Sequence, residues 1–497
     1  MTRLLARART QVAPDVDADS HERGVTLVLA AAVLVVLMGM AGFAVDLGWL
    51  FLKTTETQKA AEAAALAGVV HMPNNGGMPW GPGAEAWDTA VDVAARNGFT
   101  ASVTPNEVVG KPNQLNVSID NTVPTFFMKV FGINQVSFTR DATAEQLPPL
   151  KIGSDEPYLG TDPTTPGRNR YFFVSVNGEQ ELKENGDPYS TRCTTGCPNN
   201  SNSQFRDPAY YYAVDVPFGG GGPALTVELY DPSHWAGNRN DLVINGNVLA
   251  TGDRVNEPID ITFRLHAPDT TPNNPGDNVP IGGCTQTFTD EGAPPAPGVQ
   301  EWVPLCTVGS VPGIYVLTVS VDGDRRGITD FAVRARYGGS LASSVAVYGL
   351  GSMSIDMNEG SVAPNFKIVK LEEIYAGTQL IVSLFDPGDV TGGAANLTFV
   401  GELASTECQY RVLDQAGAEI RPWGKDDSPG IAPCFLNTTG QRFNNEWVEF
   451  RWDVPDTYTC ASDCWVNVDY DFPAGSQPNE RTTWAARING QPIHLLP

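Results

Sequence analysis

Basic side chains are scarce in this sequence. Among 497 residues, 32 Lys and Arg stand against 57 Asp and Glu, a formal charge of −25 at neutral pH. A surface of that sign repels a phosphate backbone, which argues against nucleic acid as a partner. Histidine is scarcer still: only His21, His71, His234, His266 and His494 occur. No G-x-S-x-G elbow, H-E-x-x-H helix or phosphate-binding glycine loop accompanies them. No catalytic residue, cofactor or metal ligand is therefore expected, and the protein reads as a non-enzyme. Cysteine is absent before Cys193. Charged residues make up only 18% of the chain, whereas 50 Gly and 38 Pro punctuate it. So many breakers exclude long helices over most of the length, and a hydrophobic content of 41% argues against disorder. At about 100–200 residues per domain, roughly three folded units are expected.

One long apolar run is present. Val25 to Val45 contains no charge, and at ~1.5 Å per residue it spans about 31 Å, the thickness of a hydrocarbon core. A secretory signal has a shorter apolar stretch, about 7–15 residues. Residues 25–45 are therefore read as a retained transmembrane helix that follows a cytoplasmic stub, residues 1–24. Arg3, Arg7, Arg9 and Arg23 precede the span, and Lys53 and Lys59 follow it. This bias puts the amino terminus on the cytoplasmic side of a single-pass protein of the cell membrane. Asp46 ends the apolar run, with Trp49 and Phe51 as interfacial anchors beyond it, so its carboxylate is expected at the boundary between lipid and water. All the cysteines (Cys193, Cys197, Cys284, Cys306, Cys408, Cys434, Cys460 and Cys464) lie after the span. An even number confined to one side suggests an oxidising, extracytoplasmic compartment for the bulk of the chain.

The segment KTTETQKAAEAAALAGVV has no Gly or Pro before Gly68 and is rich in Ala, so the helix should run on from about Gly24 to Leu66. Ala44-x-x-x-Gly48 and the alanine ladder allow a close helix approach, either to a partner in an assembly or to the protein's own domain. Residues 84–97 repeat the helical period, with Trp87, Val91, Ala94 and Ala95 on one face and Gly98 as a stop. FTASV (99–103) and QLNVSID (114–120) read as strands, TFFMKVFG (125–132) as a short amphipathic turn, and INQVSFTRDATAE (133–145) as another strand. That order predicts a small α+β domain, residues 46–147, built against the projecting helix.

These residues carry a resemblance. Arg23-Gly24, the apolar span, Gly42-Phe43-Ala44-Val45-Asp46-Leu47-Gly48 and then Gln58 through Gly68 follow in the order of the TadG-like and TadE-like Flp pilus-assembly motif. VPTFFMKVFGINQVSFTRDATAE (123–145) is similar to the end of the same pseudopilin-like region, and the resemblance does not extend beyond Glu145. It implies a membrane-exit and assembly motif at Phe43, Asp46, Gly48, Gln58 and Gly68, and a pilin-like fold for the small domain. It also implies partners among pilus or secretion-system subunits, reached through the amino-terminal helix. Pilin-like members of the wider group carry Glu five residues after a Gly at a peptidase site, where this chain has Leu29 after Gly24. The Asp-x-Ser-x-Ser motif of the von Willebrand factor A domains found in many TadG-like proteins is absent.

Leu147-Pro148-Pro149 and the Gly/Asp/Pro/Thr-rich stretch after it read as a linker, residues 148–167. Beyond it, short alternating runs such as YYYAVDV, IYVLTVSV, LIVSLF and WVEFRW are separated by turn residues, the pattern of all-β sandwiches. The pattern also repeats. ALTVELYDPS (224–233) matches QLIVSLFDPG (379–388), Val311 to Tyr315 matches Val454 to Tyr458, and Phe331-Ala332-Val333-Arg334 matches Trp484-Ala485-Ala486-Arg487. Blocks recurring in the same order indicate two sandwich-like units in tandem, residues 168–340 and 341–497. Cysteines follow the repeat, so disulfides are expected between Cys284 and Cys306 and between Cys408 and Cys434, with Cys193–Cys197 and Cys460–Cys464 as local loops. Two C-x-x-x-C pairs also permit a zinc site by spacing alone. Asp231-Pro232, Asp386-Pro387-Gly388-Asp389, Asp322 and Asp324 read as turn residues or as loop oxygens for calcium. Trp235, Trp302 and Trp423 read as core residues or as faces for sugar rings. Two functions stand on this sequence. One is a membrane-anchored structural or assembly protein with the lipid bilayer and pilus or secretion subunits as partners. The other is a tethered surface protein that binds glycan or calcium-bridged ligands.

Overall fold

No proline interrupts residues 19–69, and one helix, α1 (Asp19–Val69), carries both the apolar run and the alanine-rich segment without a break. The computed structural model describes residues 19–73, 80–165, 172–176, 185–190, 202–206, 208–217, 222–231, 241–244, 247–250, 254–255, 260–289, 301–321, 327–357, 364–386, 396–404, 406–424, 433–438, 442–461, 464–473, 480–490 and 492–496. Among the described residues α1 is the helix long and apolar enough to cross a membrane. Its apolar side chains stand clear of the rest of the protein, Leu27 being 73% exposed, whereas Ala60, Ala61, Ala64 and Ala65 are buried. The alanine ladder packs within its own domain, under α2 (Glu85–Arg96) and a small antiparallel sheet.

That sheet runs β1 (Val103–Val108), β2 (Lys111–Pro124) and β3 (Gln135–Gln146), with a short 3₁₀ helix, Met128–Phe131, in the β2–β3 connection. Leu115, Val117 and Ile119 alternate along β2 and are fully buried on the core side. The first strand starts later than FTASV suggests because Ser102 adopts a φ of 59°, which breaks the extended chain. A strand from the far end of the chain, Ile493–Leu495, pairs with β3 and completes the sheet.

The remaining strands are β4 (Lys151–Ile152), β5 (Tyr158–Leu159), β6 (Phe173–Val176), β7 (Tyr210–Val216), β8 (Ala224–Tyr230), β9 (Asp241–Ile244), β10 (Asn247–Ala250), β11 (Arg254–Val255), β12 (Asp260–His266), β13 (Pro280–Thr289), β14 (Trp302–Gly309), β15 (Gly313–Val321), β16 (Gly327–Tyr337), β17 (Ala346–Leu350), β18 (Ser352–Met357), β19 (Asn365–Lys370), β20 (Gln379–Asp386), β21 (Asn396–Val400), β22 (Gln409–Leu413), β23 (Glu419–Arg421), β24 (Phe435–Asn437), β25 (Glu446–Asp453), β26 (Trp465–Asp471) and β27 (Glu480–Asn489), before the terminal β28 (Ile493–Leu495). Two long sheets face one another. One runs β14-β8-β16-β6-β18-β27-β20-β25-β22-β23 and the other β13-β12-β15-β7-β17-β4-β19-β26-β21-β24.

The sequence repeat reappears in this order. In the first half, β6, β7, β8, β12, β13, β14, β15 and β16 follow one another along the chain; in the second, β18, β19, β20, β21, β24, β25, β26 and β27 do. Both halves arrange them sixth-third-eighth-first in one sheet and fifth-fourth-seventh-second in the other, the double Greek key of an eight-stranded jelly roll. ALTVELY falls on β8 and LIVSLF on β20, while the two Arg-ending blocks fall on β16 and β27.

The halves join edge to edge. β6 pairs with β18 in one sheet, and β17 and β4 bridge β7 to β19 in the other. The stretch read as a linker thus supplies β4 and β5, with Ile152 and Leu159 fully buried. One apolar core runs through both halves. Tyr212 and Phe263 meet Phe331 edge-on in the first, and Phe399 meets Trp452 and Trp484 in the second. Cys284 on β13 bonds to Cys306 on β14, and Cys408 ahead of β22 bonds to Cys434 ahead of β24, so each disulfide ties one sheet to the other at the outer edge of its half. Cys460 and Cys464 are bonded to each other just before β26. Cys193 and Cys197 lie outside the described residues.

Candidate functional site at the exit of the apolar helix

Of the residues of the exit motif, some tie α1 to its own domain and some stay exposed. Asp46 is completely enclosed, unlike the boundary carboxylate expected there. Its Oδ1 accepts the N–H of Phe126 at 2.8 Å, and its Oδ2 accepts those of Phe127 and Met128 at 2.8 and 2.6 Å. These N–H groups open the 3₁₀ turn and have no acceptor within it, so the carboxylate satisfies donors that would otherwise need water. Charge-assisted bonds of this kind each contribute about 1.5–3 kcal/mol.

One turn earlier, Gly42 makes the fit possible. A methyl at this position would lie 2.8 Å from Cγ of Phe127, so any larger residue pushes that ring off the helix. On the far side of Asp46, Trp49 meets the edge of Phe126 with ring centres 5.6 Å apart, and the Lys53 ammonium lies 4.7 Å above Trp49. Thr125 closes the base of the loop, its N–H bonding to the Asn134 carbonyl and its hydroxyl to the Ile133 carbonyl. Gly132, at a φ of 85°, ends the 3₁₀ turn where a side chain would be strained.

Farther along α1, Gln58 donates to Glu62 and to the carbonyl of Asp141 on β3. Asn121 on β2 donates to the buried Thr57 hydroxyl at 2.9 Å. Gly68 sits where a Cβ would come within 2.7 Å of the Ala86 carbonyl oxygen, so it sets the approach of α2. Asp46, Gln58 and Gly68 thus bind the helix to its own domain. Phe43 and Gly48 make no such tie: Phe43 is half-exposed, and nothing lies within 4 Å of the Cβ position at Gly48.

Phe126, Phe127 and Met128 were not singled out from sequence as partners of Asp46. The signal that could have found them is their composition, since Phe-Phe-Met-Lys-Val-Phe fills a connection between strands that ordinarily holds Gly, Asn, Asp or Ser.

The remaining sequence candidates lie elsewhere. Among the described residues, no group of three His, Cys, Asp or Glu side chains gathers as a metal site would require. Pro232, His234, Trp235, Asp322, Asp324 and 387–389 lie outside the described residues. The Trp302 indole N–H reaches Asp162 at 3.0 Å and Thr164 at 3.1 Å, and the Arg334 guanidinium stacks 4.1 Å from its ring. Trp423 likewise lies beneath Arg411 and Arg451. Both indoles therefore already carry cation–π partners from their own sheets.

No curated protein matches the chain. The segment that holds the apolar run, the exit motif and the alanine ladder, residues 24–71, matches the family model Tad, described as putative Flp pilus-assembly TadE/G-like.

Proposed function

We propose that the protein is a non-enzymatic structural component of a Flp-type pilus or a related secretion system. Residues 25–45 of α1 cross the cell membrane with the amino terminus in the cytoplasm. The small α+β domain and the paired jelly rolls stand on the outer side, where their disulfides persist. Partner subunits bind through the outward face of α1 at Phe43, Ala44 and Gly48, where small residues let another helix approach closely.

The observation that carries this reading is the family match over residues 24–71. It covers the helix side of the clamp, Gly42, Asp46 and Trp49, and extends from the glycine at the start of the apolar run to the end of the alanine ladder. The test is co-purification of the full chain in mild detergent, with a photo-crosslinker in place of Phe43. Crosslinks to pilin-like or platform subunits are the expected result. A chain that runs alone and crosslinks only to lipid or detergent overturns the assembly role.

A further inference from the structure

We infer that the β2–β3 connection, residues 124–134, is a second membrane contact, its aromatic tip seated in the outer boundary of the bilayer that α1 crosses. This inference deepens the anchoring proposed above and rests on it. Val130 and Phe131 are 79% and 78% exposed, and Phe126, Phe127 and Ile133 are close to half-exposed. Five large apolar side chains in one short loop form a contiguous patch, and a patch of that kind on a hairpin connection marks an interaction surface.

The level of the patch identifies its occupant. Phe127 packs on Gly42, which lies inside the apolar run, four residues before Asp46. At ~1.5 Å per residue the ring sits about 6 Å inside the end of that run. Segments that lie in a membrane interface bury their apolar face by about 5–10 Å, the same depth. On the same face of α1 as Gly42, the exposed Met38 and Val35, one and two turns deeper in the span, continue the apolar surface that the patch begins.

The rest of the loop fits the same setting. Its backbone donors at 126–128 are satisfied by Asp46, so they need no water. Lys129 is the loop's charged side chain and is exposed, on a stem long enough to carry its ammonium out to headgroup phosphates. Two attachments, a spanning helix and a clamped loop beside it, fix the tilt and depth of the outer domains in a way that a single helix does not.

The test uses the full chain in nanodiscs of phosphatidylcholine and phosphatidylglycerol, with its native disulfides intact and one added cysteine carrying a spin label. Val130→Cys reports on the loop, Leu34→Cys on the centre of the span, and Val109→Cys on the opposite end of β2. Ile133→Cys is a second loop position in case Val130→Cys disturbs the tip. Labels at 130 and 133 are expected to collide with dissolved oxygen more than with a water-soluble nickel chelate, as the label at 34 does, whereas 109 shows the reverse. A lipid-like label at 34 with water-like labels at 130 and 133 overturns this inference alone. A water-like label at 34 overturns the spanning reading as well.

Discussion

Asp46 shows how much one carboxylate can organise. With the side chain cut back in Asp46→Ala, three backbone N–H groups lose their acceptor in a site with little water. An unsatisfied buried donor costs about 1–3 kcal/mol, so three of them set the loss at about 3 kcal/mol or more, with Asp46→Asn losing less because its amide oxygen still accepts. Hydrogen exchange at the amides of Phe126, Phe127 and Met128 is the direct measure, and protection unchanged in Asp46→Ala would refute the clamp. The motif around Asp46 was legible in the sequence, but its partner was not, because the bonds join residues 80 to 82 positions apart and leave no local pattern. A second residue-scale case lies in the first jelly roll. Burial alone would raise the pKa of Asp162, but hydrogen bonds from Thr164, Thr165 and Trp302 and the charge of Arg334 outweigh it and hold the carboxyl below its ordinary value. A lowered folded pKa means stability that is present above the unfolded value and lost as pH falls through the folded one. The melting temperature should therefore drop on acidification below about pH 4, the unfolded range for Asp, and drop less steeply in Asp162→Asn. Parallel acid limbs in the two proteins would remove Asp162 from the account.

Among the elements, strands rich in β-branched and aromatic residues were legible, and those built from other residues were not. YYYAVDV and IYVLTVSV alternate strongly and lie on β7 and β15, whereas β13 reads PIGGCTQTFT and β14 reads WVPLCTVG, with Gly and Pro in positions that resemble turns. Both are end strands of their sheets, where a Pro or Gly breaks no inner ladder. The disulfides sit at these ends, and that placement sets their effect. Cys408 and Cys434 close a separation of 26 residues, for which chain entropy gives about 3.5 kcal/mol of stabilisation. Cys408→Ser with Cys434→Ser should lower the unfolding free energy by that amount and speed hydrogen exchange first in β22, β23 and β24, leaving β13 and β14 unchanged. Equal acceleration in both halves would mean that the bond supports the whole core and not its own edge. The terminal strand β28 was missed for a different reason: Ile493 to Leu495 is too short to show any period.

For the whole molecule, duplication was legible and fusion was not. Two of the three repeated blocks sit on equivalent strands, β8 with β20 and β16 with β27, whereas Val311 to Tyr315 enters β15 and Val454 to Tyr458 stays in the connection before β26. The residues that join the halves lie outside all three blocks: Lys151 and Ile152 between β17 and β19, and Phe173 and Val174 against β18. The seam is also tied by side chains. Phe172 packs on Phe366 at 5.2 Å, the Tyr189 hydroxyl donates to the Ser352 carbonyl, and the Trp447 indole donates to the Gly186 carbonyl. A fragment of residues 341–497 would keep its own eight strands yet expose the edges of β18 and β19, each a row of unpaired N–H and C=O groups. It would also strip Phe366 of Phe172 and the Trp447 indole of the Gly186 carbonyl. We expect this fragment to lack the near-ultraviolet circular dichroism of fixed aromatic packing and to associate through its open edges. Residues 148–497 should instead unfold in one cooperative transition that both halves share. A soluble 341–497 fragment with protected amides in β18 and β19, or two separate transitions in 148–497, would show that the jelly rolls are independent domains and that the shared sheets contribute little to either.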